Sequence, residues 1–410
     1  MGDRSRPPPR AVARETCVKA FEPVRLGPIT LKNRVIKAAT FEGVTPDALV
    51  TDALIAFHRR VALGGAGMST VAYLAVTSGG RTEARQIWWR PETLAGLLRL
   101  TDAVHGAGAK VSAQLGHAGP VADPWSTKTP AFGPSRRLGP LGITRAVADV
   151  ESVIGAFGDA AAMAEQAGFD AVELHFGHGY LVSAFLSPRE NRRTDEWGGS
   201  LEGRARLARA IAERVRERVG GRLAVTCKLN LEDGVRGGNT LADCVQVARW
   251  LETDGTVDAI TLTAGSSLSN PMYLFRGDLP LDEFAAQFRE PRRLALRLFG
   301  RVLFKHYPYE PLFLLPLAKA VRAAVKLPLV LLGGITDLAG INRALGEGFE
   351  LVAMARALLK EPDLVNTMMR DSAARSTCTH CNRCMPTIYT RTRCPLNEET
   401  ALSDPPVFQG

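Results

Sequence analysis

The chain has 410 residues, 46% hydrophobic and 23% charged, a balance that excludes wholesale disorder. Its 39 glycines and 25 prolines follow no three-residue period, which excludes a collagen-like fibre. The formal charge of +9 comes from 51 basic against 42 acidic residues, but no basic stripe is interleaved with aromatics, so nucleic acid is not expected as a partner.

Residues 1–20 are rich in Pro and Arg (Arg4, Arg6, Arg10, Arg14) and read as a disordered or extended basic tail. No apolar stretch follows them, so they do not read as a secretory signal. No apolar run nears the ~18 residues a membrane helix needs. The expected location is the cytoplasm, with no membrane partner.

From residue 21 one theme repeats. A helical stretch ends in Gly, and a short apolar run follows: LGGAG then MSTVAYLAV, HGAGA then KVSAQL, EQAGF then DAVELHF, RVGGR then LAVTCKL. Gly suits a helix end because it adopts positive φ without steric cost. The apolar runs are β-branched, four to eight residues long and hardly alternate, as expected of strands buried on both faces. TDGTV then DAITLTA, LGEGF then ELVAMA, NRVIKAAT and LPLVLLGGIT bring the strands to eight. Helical patterns lie at 49–63, 91–106, 150–167, 201–219, 239–253, 312–326, 337–347 and 356–370. Alternation of this kind predicts an α/β fold, a (β/α)8 TIM barrel over residues 21–371, with an open doubly wound sheet as the alternative. Residues 118–149 and 266–310 interrupt the rhythm and read as long βα-loops of the kind that shape a site.

In such a barrel the chemistry gathers where strands end at their C-terminal side. The residues read there are Ala38, Ala39 and Thr40; Ala72; Gln114 and His117; His175, His178 and Tyr180; Lys228 and Asn230; Thr263; Gly333 and Gly334; Ala355 and Arg356. Three of the chain's 7 histidines stand at these strand ends. A lone histidine there is more often structural, but His-x-x-His-x-Tyr directly after a buried strand points to chemistry. Gly333–Gly334 followed by Arg356 fits a phosphate site, because glycines admit backbone N–H groups and a guanidinium gives two donors.

Residues 168–207, GFDAVELHFGHGYLVSAFLSPRENRRTDEWGGSLEGRARL, closely resemble the signature of the old yellow enzyme family of FMN-dependent NAD(P)H oxidoreductases. LGPITLKNRVIKAAT, AQLGHAG, LLGGIT and VAMARALLKEPDLV support the resemblance in family order over residues 26–370. It implies FMN across the barrel mouth, with Ala38, Ala39 and Thr40 lining the flavin and Ala72 near its reactive edge. It implies Gln114 on the pyrimidine edge, Lys228 as a positive charge beside it, and Gly333, Gly334, Ala355 and Arg356 around the phosphate. His175 and His178 would bind a carbonyl or anion, and Tyr180 would be the proton donor. NAD(P)H would be the reductant, and the substrate a small molecule with an electron-poor alkene. Two alternatives are a flavin-dependent dehydrogenase or demethylase passing electrons to a partner, and an inactive barrel that binds a ligand or metal. A homo-oligomer is compatible with the resemblance. The chain departs from many relatives at Phe41, where a potential-tuning Thr or Cys is common, at Pro120 in place of Arg, and at Ala355 in place of Gly.

Of the 7 cysteines, Cys17, Cys227 and Cys244 are scattered. Cys378, Cys381, Cys384 and Cys394 cluster in residues 372–410, which read as a Cys-rich C-terminal extension. In a reducing compartment such a set reads as metal ligands or reactive thiols. Its spacing resembles the [4Fe–4S]-binding segment of larger relatives similar to 2,4-dienoyl-CoA reductase, whose C-terminal FAD/NAD(P) domain has no room before Gly410. An iron–sulfur cluster, a zinc site with four cysteine ligands and free thiols stay open, with His380 a competing ligand.

Overall fold

The computed structural model describes residues 19–397, the side chains of Val302 and Leu303 excepted. Residues 1–18 of the basic tail and the last residues of the extension lie outside that span.

Eight parallel strands close into a barrel. They are β1 (Val35–Lys37), β2 (Met68–Ala75), β3 (Lys110–Gly116), β4 (Ala171–Phe176), β5 (Ala224–Asn230), β6 (Ala259–Thr263), β7 (Leu329–Leu332) and β8 (Leu351–Met354). Each strand pairs with its neighbours in chain order, and β8 closes on β1 through Val352↔Val35, Ala353↔Ile36 and Met354↔Lys37. Closure settles the choice against an open sheet.

Helices alternate with the strands: α1 (Asp52–Leu63), α2 (Leu94–His105), α3 (Val150–Gln166), α4 (Leu201–Val219), α5 (Leu241–Asp254), α6 (Leu315–Ala324), α7 (Leu338–Gly346) and α8 (Arg356–Lys360). Their starts are chemically marked. Ser200 accepts from the Gly203 amide, and Thr240 and Asp243 form a capping box, contacts worth about 1 kcal/mol each. The pattern expected over 356–370 is broken after Lys360 by Glu361–Pro362, and a second helix resumes at Leu364–Arg370.

The period-two geometry of a strand sorts the barrel into two cores. Val172, Leu174 and Phe176 of β4 point outward and join helix residues such as Phe157 and Ile211. Ala171, Ala224, Ala259 and Leu351 point inward at the N-terminal end. There they meet Leu26 and Leu31 of an antiparallel hairpin, Val24–Leu26 with Ile29–Leu31, which plugs the barrel floor. Gly27 turns that hairpin at φ +53, and a Cβ there would stand 2.6 Å from the Asp258 carboxylate.

Both interruptions are structured rather than plain loops. Residues 118–149 hold a short helix (Pro124–Thr127) and a three-stranded sheet (Ala131–Gly133, Arg137–Gly139, Gly142–Ala146). Residues 266–310 hold helices Pro271–Phe275, Leu281–Ala285 and Arg292–Leu303. The extension lies across the barrel mouth. The Thr392 amide donates to the Glu42 carbonyl (2.9 Å), Arg85 Nη1 to the Tyr389 carbonyl (3.1 Å), and Lys360 Nζ to Asn397 Oδ1 (2.7 Å). Among the described residues no helix is long and apolar enough to cross a membrane.

The plug generates a prediction. Leu31→Ala removes a fully buried side chain from the floor and should destabilise the fold by about 2–5 kcal/mol. A denaturant midpoint equal to wild type would show that the hairpin carries no core.

Candidate active site

Inward positions turn polar toward the C-terminal end of β3, β4 and β5. Gln114 on β3 stands opposite Glu173 on β4, and Lys228 on β5 opposite His175. Gln114 Nε2 donates to Glu173 Oε2 at 2.6 Å, and Lys228 Nζ lies 3.1 Å from the same oxygen. All three side chains are buried. Glu173 was not singled out in the sequence, although it stands two residues before His175 and therefore on the same face of its strand.

His175 leaves the top of β4, and His178 follows on a turn at φ +62, a left-handed conformation costing a non-glycine residue about 1–2 kcal/mol. Two contacts hold the turn. The His178 amide donates to Asn230 Oδ1 (3.0 Å), and His178 Nε2 lies 2.7 Å from Thr263 Oγ1. The two imidazoles meet edge to face with centroids 5.1 Å apart. The Tyr180 ring is 4.5 Å from that of His175, and Tyr73 closes the group at 5.3 Å from Tyr180. His175 Nδ1 accepts from the Gly177 amide at 3.3 Å, which leaves Nε2 as the N–H donor.

Burial governs protonation here. It pushes His178 down to about 3, with the Lys228 charge adding to the effect. His175 is likewise held well below the ordinary histidine range, first by burial and then by His178 and Lys228. Burial raises the Tyr180 phenol to about 12. At neutral pH the group is two neutral imidazoles beside a protonated phenol.

The remaining strand ends complete the rim. Ala38 donates its amide to the Met354 carbonyl (2.9 Å), Ala39 is half-buried, and Ala72 is the half-buried position of an otherwise buried β2. The Thr40 hydroxyl accepts from Lys37 Nζ (2.8 Å) and donates to Glu42 Oε1 (3.2 Å). Lys37, Glu42 and His58 form an enclosed polar group that sequence reasoning missed. His58 Nε2 stands 3.8 Å from Glu42 Oε1, and burial lowers Lys37 to about 8 and raises Glu42 to about 7. The Phe41 carbonyl accepts from the Thr392 hydroxyl.

At the ends of β7 and β8, Gly333 and Gly334 take φ +102 and +75. The amide N–H groups of Gly333, Gly334 and Ala355 have no hydrogen-bond acceptor among the described residues. The Arg356 guanidinium instead donates to Asn382 Oδ1, the Arg276 carbonyl and the Phe275 carbonyl. Behind it, Cys378, Cys381, Cys384 and Cys394 line one cavity of about 20 Å³. Burial raises the Cys384 thiol to about 12 against the opposing pull of Arg356. Among the described residues no three His, Cys, Asp or Glu side chains converge on a single-ion site. The His380 ring stacks on Tyr309 with centroids 3.3 Å apart.

A closed (β/α)8 barrel with titratable groups gathered at its C-terminal mouth defines the class, a barrel enzyme working from its strand ends. The chain belongs to the NADH:flavin oxidoreductase / NADH oxidase family, whose profile matches residues 19–267. It is 49% identical over 390 residues to the 4,4'-dithiodibutanoate disulfide reductase of Rhodococcus erythropolis, covering 94% of this chain and 97% of that one. It is 30% identical over 352 residues to the NADH oxidase of Thermoanaerobacter brockii, covering 84% of this chain and 49% of that protein. The chain thus spans about half the length of that relative. Among solved structures it resembles a 2-naphthoyl-CoA reductase (TM-score 0.79, 25% identity, 93% of this chain and 57% of that one). It also resembles the old yellow enzyme homologue of Zymomonas mobilis (TM-score 0.72, 22% identity, 91% and 97%), a likeness of fold.

The protonation analysis makes a prediction. In 15N-histidine spectra, the signals lost in His178→Asn should keep neutral-imidazole shifts in the wild type from pH 8 down to 5. The unfolded chain protonates these groups near pH 6.5, so stability should fall as pH drops below that value. A His178 titration centred near 6.5 would refute the assignment.

Proposed function

We propose that the chain is an FMN-dependent NAD(P)H reductase of small organic acceptors, with an electron-poor alkene taking the electrons in the second half-reaction. The observation that carries this reading is the close group of His175, His178 and Tyr180 at the mouth of a flavin oxidoreductase barrel.

The residues present fit the flavin. The Gln114 carbonyl oxygen and the Gly333, Gly334 and Ala355 amides make no hydrogen bond among the described residues. In this reading those amides and Arg356 hold the phosphate, and Gln114 and Lys228 hold the polar edge of the ring. Ala38, Ala39, Thr40 and Ala72 line it. Glu173 offsets the Lys228 charge, so the cation at that edge is a partly neutralised one. Bound FMN supplies two-electron hydride chemistry.

His175 and His178 then hold the carbonyl oxygen of the acceptor. Neutral N–H donors stabilise the negative charge that develops on that oxygen. Tyr180 gives its proton to the carbon next to the carbonyl. Both NAD(P)H and reduced thiols belong to a reducing compartment, which keeps the reading in the cytoplasm.

A second acceptor is favoured by the Rhodococcus relative, whose name specifies a disulfide. In that case hydride adds to one sulfur as the S–S bond breaks, and the departing thiolate takes a proton from solvent, giving two thiols. The extension is read as a [4Fe–4S] site rather than a zinc site. Zinc needs four sulfurs about 2.3 Å from one point, whereas a cubane places each cysteine on its own iron. Cys378, Cys381, Cys384 and Cys394 line one cavity, so all four can face one cluster.

Two measurements test these readings. Anaerobically reduced enzyme should be reoxidised by 2-cyclohexenone; reoxidation by 4,4'-dithiodibutanoate alone would replace the alkene with the disulfide. Tyr180→Phe should slow acceptor reduction by about 10²–10⁴-fold while leaving flavin reduction by NAD(P)H within a few-fold. Equal slowing of both steps would remove Tyr180 as proton donor. For the extension, Cys381→Ser should lower the iron content of anaerobically purified protein; unchanged iron, or zinc in its place, would refute the cluster.

A further inference from the structure

Arg356 is half-buried, lies beside Cys378, Cys381, Cys384 and Tyr309, and forms no ion pair with a carboxylate among the described residues. A guanidinium partly withdrawn from water is held by the acceptors its N–H groups reach, and its free donors suit an anion. Its hydrogen bonds show how it is aimed. Nη1 donates to Asn382 Oδ1 (2.5 Å) and to the Arg276 carbonyl (3.2 Å), and Nη2 to the Phe275 carbonyl (2.5 Å). A guanidinium has five N–H donors in a fixed plane. Three are engaged, and two remain, on Nε and Nη2.

Of the three acceptors, Asn382 supplies the one side chain. It follows Cys381 directly and precedes Cys384 by two residues. It is 2% exposed and sits at φ +54, a conformation asparagine tolerates better than most residues. Its amide is fully used. Oδ1 accepts from Arg356, and Nδ2 donates to the Arg276 carbonyl (2.9 Å) and the Asp278 carbonyl (2.9 Å). The Asp278 amide donates in turn to the His380 carbonyl (3.2 Å). One side chain therefore ties the cysteine loop, the 266–310 insertion and Arg356 into a single unit.

We infer that Asn382 is a positioning residue for the flavin phosphate: it sets the plane of the Arg356 guanidinium, so the cysteine loop is part of the phosphate site. The inference rests on the assignment of Gly333, Gly334, Ala355 and Arg356 to the phosphate. Without the Asn382 oxygen, Nη1 loses its side-chain acceptor and the fork must be ordered at the expense of phosphate binding. Anything that disorders the cysteine loop weakens the flavin by the same route.

The test compares FMN with riboflavin, which has the ring and lacks the phosphate. Full-length protein stripped only of flavin is titrated with each ligand, and binding is read by quenching of flavin fluorescence. Wild type should prefer FMN. Asn382→Ala should lower FMN affinity by about tenfold or more and leave riboflavin unchanged. In the Arg356→Gln background, Asn382→Ala should add no further loss, because it acts through Arg356. Asn382→Gln, which displaces the amide oxygen, serves if the alanine variant does not fold and should show the same selective loss. Equal weakening of both ligands, unchanged FMN binding, or full additivity with Arg356→Gln would overturn the inference. Wild type that binds neither ligand would overturn the flavin reading itself, a distinct result.

Discussion

Glu173 is the carboxylate on which the barrel mouth depends. Lys228 is 3% exposed, and an ammonium that deep is unfavourable without an opposing charge. Glu173 provides that charge and also takes the Gln114 amide, so one side chain links β3, β4 and β5. Strand geometry carries the constraint upward. Two residues beyond Glu173 stands His175, and two beyond Lys228 stands Asn230, which grips the turn presenting His178. Breaking a buried pair of this kind by removing one partner costs about 3–5 kcal/mol, because the survivor is left uncompensated. The imidazoles are thus placed by a charge pair below them.

The same cation shapes their chemistry. Lys228 adds to the burial that keeps His175 and His178 from protonating. Neutral imidazoles bind a neutral carbonyl modestly and gain strength as its oxygen acquires charge. That difference between ground and transition states is what accelerates a reaction. A pair of imidazolium ions would instead hold pre-existing anions tightly before any chemistry. Tyr180 fits the same logic. A phenol raised to about 12 gives its proton only to a strongly basic centre, so in the proposed reaction Tyr180 would donate after electrons reach the acceptor.

The barrel was legible because each unit carries its own punctuation. A helical pattern, a glycine and a β-branched run recur along the chain, and α4 begins and ends where the pattern places it, at Leu201 and Val219. Strands of three residues, such as Arg137–Gly139, are too short to show a period, and so the 118–149 segment read as a loop. The break before Leu364 was readable from Pro362, yet the helical pattern on both sides masked it. Glu173 was missed for another reason. The apolar runs looked uniform, while AVELHF carries Glu173 and His175 on its inward face, and AVTCKLN carries Thr226, Lys228 and Asn230. Asn382 had no local signal at all, since its partners lie 26, 104 and 106 residues away.

The extension and the 266–310 insertion form one layer over the mouth. Phe284 and Phe288 of the insertion pack against Tyr389 of the extension, with centroids 6.2 and 5.3 Å apart. Tyr389 is in turn fixed by Arg85 from the loop after β2, and Thr392 by the loop after β1. A segment anchored at several places on the rim cannot move independently of it. Side chains inside the barrel set the charge and the proton inventory, and the layer above them sets enclosure. Exchange of the insertion alone would leave Tyr389 and Asn382 without their packing and hydrogen-bond partners. The two segments are therefore constrained to change together.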